Sequence, residues 1–181
     1  MLSRIALLII AAIGLQADVR DCVCDLRSPS IAQTRGCNLC RIAETHAADA
    51  NPAFLLKDND PSKPNRWLAL PHAVYDGANP LARMTPAERV ALWTSAIEKG
   101  RELWGDGWAV AMNSDLRRQQ CHAHVHIGKL LDGQETSEGF YVDGPAGLPA
   151  ISDGTGLWFH PAGNRLHVHT NGQATEYVLM K

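Results

Sequence analysis

The chain predicts an α+β fold, an antiparallel sheet with one long helix packed on it and a C-terminal β-hairpin extension. Three observations carry that expectation. Short apolar runs bounded by turn residues recur through the chain, as strands do. One stretch, from Thr85 to Gly105, has helical periodicity with both ends marked. The strand-like runs on either side of Ser114–Gln120 are joined too closely for a parallel crossover, so they are antiparallel neighbours.

The chain has 181 residues, with 17 basic and 19 acidic side chains and a formal net charge of −2. At 45% hydrophobic and 20% charged it has ordinary globular composition, enough for one domain with a real core. The charge balance excludes a strongly basic binder of DNA or RNA polymer, so any nucleotide is met locally, in a pocket.

Residues 1–17 read as a signal peptide: Arg4, then an apolar run from Ile5 to Leu15, then Gln16 and Ala17. Eleven residues are too few to span a bilayer, which needs about 20. The expectation is an exported protein, periplasmic or secreted, with residues 18–181 as a single domain. Residues 18–51 are polar and cysteine-rich, with a short helical piece after Cys40. Outside the cytoplasm Cys22, Cys24, Cys37 and Cys40 favour two disulfides, in any of three pairings. The C-x-x-C of Cys37 and Cys40 is equally a normal zinc-ligand pair. Cys121 stands apart and reads as a buried free thiol.

Phe54–Lys57 and Trp67–Pro71 are strands either side of the turn-rich run 58–65, a hairpin with a long loop. The long helix follows. Thr85 caps it, Pro86 takes its first position and Glu88 completes a capping box. Val90, Trp93, Ile97 and Trp104 give it an apolar face, with the tryptophans as core residues. Trp108–Asn113 is the next strand, and a second runs from His122 to about Leu131. Residues 132–181 form a β extension: a loop-like start, then strands at Gly156–His160, Arg165–His169 and Thr175–Met180. Asn171-Gly172 is the hairpin signal joining the last two.

His122, His124 and His126 alternate with Ala123, Val125 and Ile127, so in a strand the three imidazoles share one face. His122 and His126 would be about 13 Å apart at Cα, so with bonds of about 2 Å two neighbours such as His122 and His124 could share an ion but all three only with difficulty. A covalent role suits the spacing better. A neutral imidazole holding a proton on one nitrogen can attack phosphorus with the other, while neighbouring rings stabilise the phosphate oxygens. His167 and His169, with His160, form a second one-face set that could in principle bind a metal, but lying between turn-rich segments and without acidic or cysteine partners they are expected to be exposed strand histidines.

His122-Ala123-His124-Val125-His126-Ile127 resembles the signature of the histidine triad (HIT) superfamily of nucleotide hydrolases and transferases. Trp67–Pro71, the long helix and Ala111-Met112-Asn113 extend the resemblance over roughly Cys37 to Leu131. Leu56-Lys57-Asp58, Asn113-Ser114, Gln120 and the stretch from Gly154 are similar to exported CDP-diacylglycerol pyrophosphatases. The resemblance implies His124 as the nucleophile, His126 on phosphate oxygens or the leaving group, and His122 fixing the arrangement. It implies Asn113 and Gln119 as substrate contacts, and no cofactor for catalysis. By the same resemblance Cys37, Cys40, His72 and His122 would hold a structural zinc, as in zinc-bearing relatives. The substrate would be a nucleotide conjugate or a liponucleotide met at a membrane surface, CDP-diacylglycerol giving CMP and phosphatidic acid. A homodimer through the long helix is a further expectation. Arg117-Arg118-Gln119-Gln120 replaces the family's usual glycine-glutamine pair, and the arginines read as solvated turn residues. The rival expectation is an exported zinc- or nucleotide-binding module without turnover.

Overall fold

The computed structural model describes residues 19–24, 38–46 and 51–181. The expected leader and Cys37 lie outside those residues.

Strand propensity and alternation build a seven-stranded antiparallel sheet. Its strands are β1 (Ala53–Lys57), β2 (Trp67–Pro71), β3 (Trp108–Met112), β4 (Val125–Lys129), β5 (Phe140–Val142), β6 (Gly156–Ala162) and β7 (Arg165–Gly172). The spatial order is β1-β2-β4-β3-β6-β7-β5. The expected first hairpin is present, with Leu55 opposite Ala69, and β3 pairs β4 with Ala111 opposite His126.

Among the described residues three α-helices accompany the sheet: α1 (Asn38–Thr45), α2 (Pro80–Arg83) and α3 (Pro86–Trp104). The Thr85 hydroxyl accepts from the Glu88 amide while the Glu88 carboxylate accepts from the Thr85 amide, the capping box expected of that sequence. One face of α3 packs on the sheet through Leu92, Trp93, Ala96 and Ile97, against Val110, Ile127, Phe159 and Val168. Trp93 and Phe159 meet edge to face, with ring centres 5.5 Å apart. Of the two helix tryptophans expected in the core, Trp93 is fully buried and Trp104 is partly buried against the same cluster, whereas Leu103 lies exposed.

The opposite face of the sheet carries a different set: Leu68, His126, Ala111, Trp158 and His169, in register across five adjacent strands. Aligned partners in an antiparallel sheet project to the same side. All the histidines discussed below on β4, β6 and β7 are therefore on the face away from α3.

Four expectations change. The histidine strand begins at Val125, so His122, at a bend, and His124 sit in the lead-in rather than in the ladder. Asn171-Gly172 is not a turn: β7 runs through it, and the hairpin is β6–β7, with Ala162 opposite Arg165. The two residues between them are Gly163 and Asn164, and Gly163 at φ 63° supplies the positive φ that a two-residue hairpin needs. Thr175–Val178 is a 3-10 helix, not a strand. It is held by side chains: the Thr175 hydroxyl donates to the Met112 carbonyl at 2.6 Å, and the Asn113 side chain accepts from the Glu176 amide at 3.0 Å.

The fourth concerns Cys121. It is fully buried and bonded to Cys22, while Cys24 is bonded to Cys40. The free thiol expected at Cys121 is thus a disulfide partner. It escapes the sequence reading because its partner lies 99 residues away, outside the cysteine cluster. Among the described residues no helix is long and apolar enough to cross a membrane.

Candidate active site

The site is built where β4 begins. His122 is buried and its Nε2–H donates to the Pro71 carbonyl at 2.9 Å, fastening the lead-in to the end of β2. The Ala123 amide donates to the Tyr75 carbonyl at 2.7 Å. Held at both points, the His122 carbonyl accepts a hydrogen bond from His124 Nδ1 at 2.9 Å. A carbonyl can only accept, so Nδ1 carries the proton and the lone pair resides on Nε2. Among the described residues that Nε2 makes no hydrogen bond. Burial, then the neighbouring His126, holds the His124 imidazole well below the ordinary histidine range, which keeps it neutral.

His126 lies beside it, with ring centres 5.0 Å apart and the planes at 78°. Its Nδ1 is 3.7 Å from a Glu176 carboxylate oxygen. Burial pushes the His126 imidazole down to about 4, against the opposing pull of Glu176. Burial would raise the Glu176 carboxyl, but His126, Lys63 and Asn113 outweigh it and bring it to about 2. At neutral pH the pair is therefore a neutral imidazole facing an ionised carboxylate.

Glu176 is the residue that sequence reasoning missed. It accepts from Lys63 at 2.8 Å, from Arg66 at 3.1 Å and from Asn113 Nδ2 at 3.0 Å. Arg66, itself buried, also donates to the backbone carbonyls of Glu176, Leu179 and Met180. It clamps the whole 176–180 segment against the sheet. No local pattern marks Glu176 in the sequence, since its partners lie 63 to 113 residues away.

His124 and His126 open onto a cleft of about 190 Å³. Leu68 lies in it with the two imidazoles; Asp58, Asp60 and Lys63 come from the β1–β2 loop, and Arg117, Gln119 and Gln120 from the turn before the triad. Asn113 and Gln119, expected as substrate contacts, both line it. Asn113 spends its amide on Glu176, so it orients the carboxylate, whereas Gln119 is exposed to the cleft. His122 does not line the cleft; its carbonyl acts through His124.

The two arginines of the turn divide. Arg117 is exposed at the cleft, but Arg118 is 3% exposed, which overturns its reading as a solvated residue. Arg118 pairs with Asp115 at 2.9 Å and donates to the carbonyls of Cys121 and Gly77. Asp115 in turn accepts from the Asn79 amide at 2.9 Å. The turn is thus pinned from inside, next to the Cys22–Cys121 bond.

Of the zinc set expected by resemblance, Cys40 is bonded to Cys24 and His122 Nε2 donates to Pro71. His72 lies against the Phe54 ring, with centres 4.8 Å apart. The described members of that set are not gathered at one point. No family model matches the chain, and no curated protein matches it.

Proposed function

We propose that this protein is a phosphoanhydride hydrolase of the histidine triad type. The observation that carries the reading is the His124 Nδ1–H bond to the His122 carbonyl, which leaves a neutral, unprotonated Nε2 at a polar cleft. His124 Nε2 attacks the phosphorus of the nucleotidyl group; a P–N bond forms, and the bond to the bridging anhydride oxygen breaks. Water then attacks the same phosphorus, the P–N bond breaks, and the water's proton leaves as the nucleotide departs. The charge of the bound phosphate joins that of Glu176, 3.7 Å from His126 Nδ1, in favouring the imidazolium, and in that form His126 Nε2–H donates to the phosphate oxygens as charge develops there. Arg117 and Gln119 meet the substrate at the cleft mouth.

For the substrate we take the liponucleotide reading, supported by the resemblance and the expected export. CDP-diacylglycerol would give CMP and phosphatidic acid. The two disulfides favour an oxidising compartment. The test is incubation with CDP-diacylglycerol labelled on the cytidylyl phosphorus, quenched in base to preserve phosphohistidine. Label is expected on His124, with CMP release abolished in His124→Ala. CMP release at the wild-type rate from that variant would sink the proposal.

A further inference from the structure

A second group of histidines, on the same sheet face but away from the cleft, has the geometry of a ligand set. His167 and His169 are two apart on β7 and so project to one side, and His160 is the direct cross-strand partner of His167. Far from being exposed, as the sequence suggested, they are 3%, 1% and 6% exposed for His160, His167 and His169. Their ring centres are 4.2 to 5.7 Å apart.

Three buried imidazoles need hydrogen-bond partners, and a nitrogen left without one costs about 1–3 kcal/mol. Here Nε2 of His160, Nε2 of His169 and both nitrogens of His167 have no hydrogen-bonding partner among the described residues. Yet the rings are firmly set. His160 Nδ1–H donates to the Pro161 carbonyl at 3.0 Å, which leaves its Nε2 as a lone pair. A ligating histidine is normally fixed by such an outer hydrogen bond. His169 stacks on Trp158 at 3.7 Å, and His167 on Tyr141 at 4.4 Å. One nitrogen from each ring lies within 4.8 Å of the others. Tetrahedral zinc with bonds of about 2 Å spaces its nitrogens about 3.3 Å apart, so modest ring rotations close the set. Gly139 passes directly over the rings at φ 118°; a Cβ there would meet the Val168 carbonyl oxygen first, and would stand 3.0 Å from His167 Nε2 and 3.2 Å from His169 Nδ1. The backbone at this point keeps the space above the nitrogens clear of side chain.

We propose that His160, His167 and His169 bind a divalent first-row transition metal ion, zinc being the probe that tests it. Three neutral imidazoles suit such an ion, and they leave a fourth position to solvent. The site is separate from the proposed nucleophile. His126, Ala111, Trp158 and His169 are successive register partners, so His169 is three strand spacings, about 14 Å, from His126. An ion there does not reach a phosphorus held at His124, and its role is to tie β6 to β7 beneath β5.

The test uses the oxidised full-length protein, stripped with chelator and titrated calorimetrically with Zn²⁺. One ion per chain is expected. His167→Gln and His169→Gln should each weaken binding by more than the roughly 10–100-fold that loss of an outer partner gives, while His124→Ala leaves it unchanged. On the wild-type protein, Zn²⁺ should protect His160, His167 and His169 from carbethoxylation in peptide mapping, a readout independent of whether the variants fold. No bound zinc, undiminished binding in both variants, or protection confined to His124 and His126 overturns the proposal. None of these results bears on CMP release.

Discussion

Replacing Cys22 and Cys121 together by alanine removes a cross-link that closes 99 residues of chain. In the chain-entropy account such a loop contributes about 4.7 kcal/mol by restricting the unfolded ensemble. The Cys24–Cys40 bond closes only 16 residues, for which the same relation gives about 3 kcal/mol. Both pairs are in one small cluster with Val19, so local packing losses are similar and the difference isolates loop length. Urea unfolding of the two double variants, with matched slopes, measures it: Cys22→Ala/Cys121→Ala should be the weaker protein by about 1.5 kcal/mol. Cys121 adjoins His122, so that variant should also lose activity that the Cys24→Ala/Cys40→Ala protein retains. Equal stabilities, or a larger loss from the short loop, would refute the reasoning. A loss under about 1 kcal/mol in the first variant would refute the pairing itself.

Three further outcomes follow from buried charges. Arg118→Met should destabilise the fold by about 3–5 kcal/mol by stranding Asp115, and Asp115→Asn added to it should cost less than the separate effects summed; denaturant melts of the cycle read this. His126 has its pKa lowered in the folded state to about 4, so between pH 6.5 and 4 the unfolded chain binds the extra proton. Stability should therefore fall as pH drops through that window, by about 3 kcal/mol from this residue, with Glu176 extending the loss below pH 4.5. Rising stability over the same window in pH-dependent unfolding would contradict it. Glu176→Gln should shift the His126 titration below about 4, since the carboxylate is what raises it, and imidazole NMR reports that directly.

Much of the fold is legible because its signals are local. Thr85, Pro86 and Glu88 specify a helix start within three residues of one another, and the alternation of Ala123, Val125 and Ile127 fixes which side of the triad faces the core. The lead-in conformation of His122 was not legible, because it depends on the Pro71 and Tyr75 carbonyls from another part of the chain. The same limit hides Arg118 and Glu176. Each looks like an ordinary surface charge in sequence, and each is defined by partners brought in by tertiary folding. For Asn171-Gly172 the turn propensity is real, but the β6 partner continues opposite it, with Gly156 paired to Gly172, and the ladder wins. His160, His167 and His169 were misread because burial on a sheet depends on what covers the face, here Tyr141, Trp158 and the backbone at Gly139.

The grip of Arg66 on the 176–180 segment sets how this protein should fail. The segment is one 3-10 turn and a single bridge of Leu179 to Leu130, so it opens by releasing one guanidinium, a few side-chain bonds and the two backbone bonds that join Val178 to Leu131 and Met180 to Lys129. Such a piece detaches at far lower free energy than the sheet unfolds. Lesions there, or at Arg66, therefore belong to a class that a melting curve of the main transition underreports: a molecule still folded, still oxidised, with its helix packed, whose His126 has lost the carboxylate that orients it. Damage screens that score abundance alone will pass such molecules as sound.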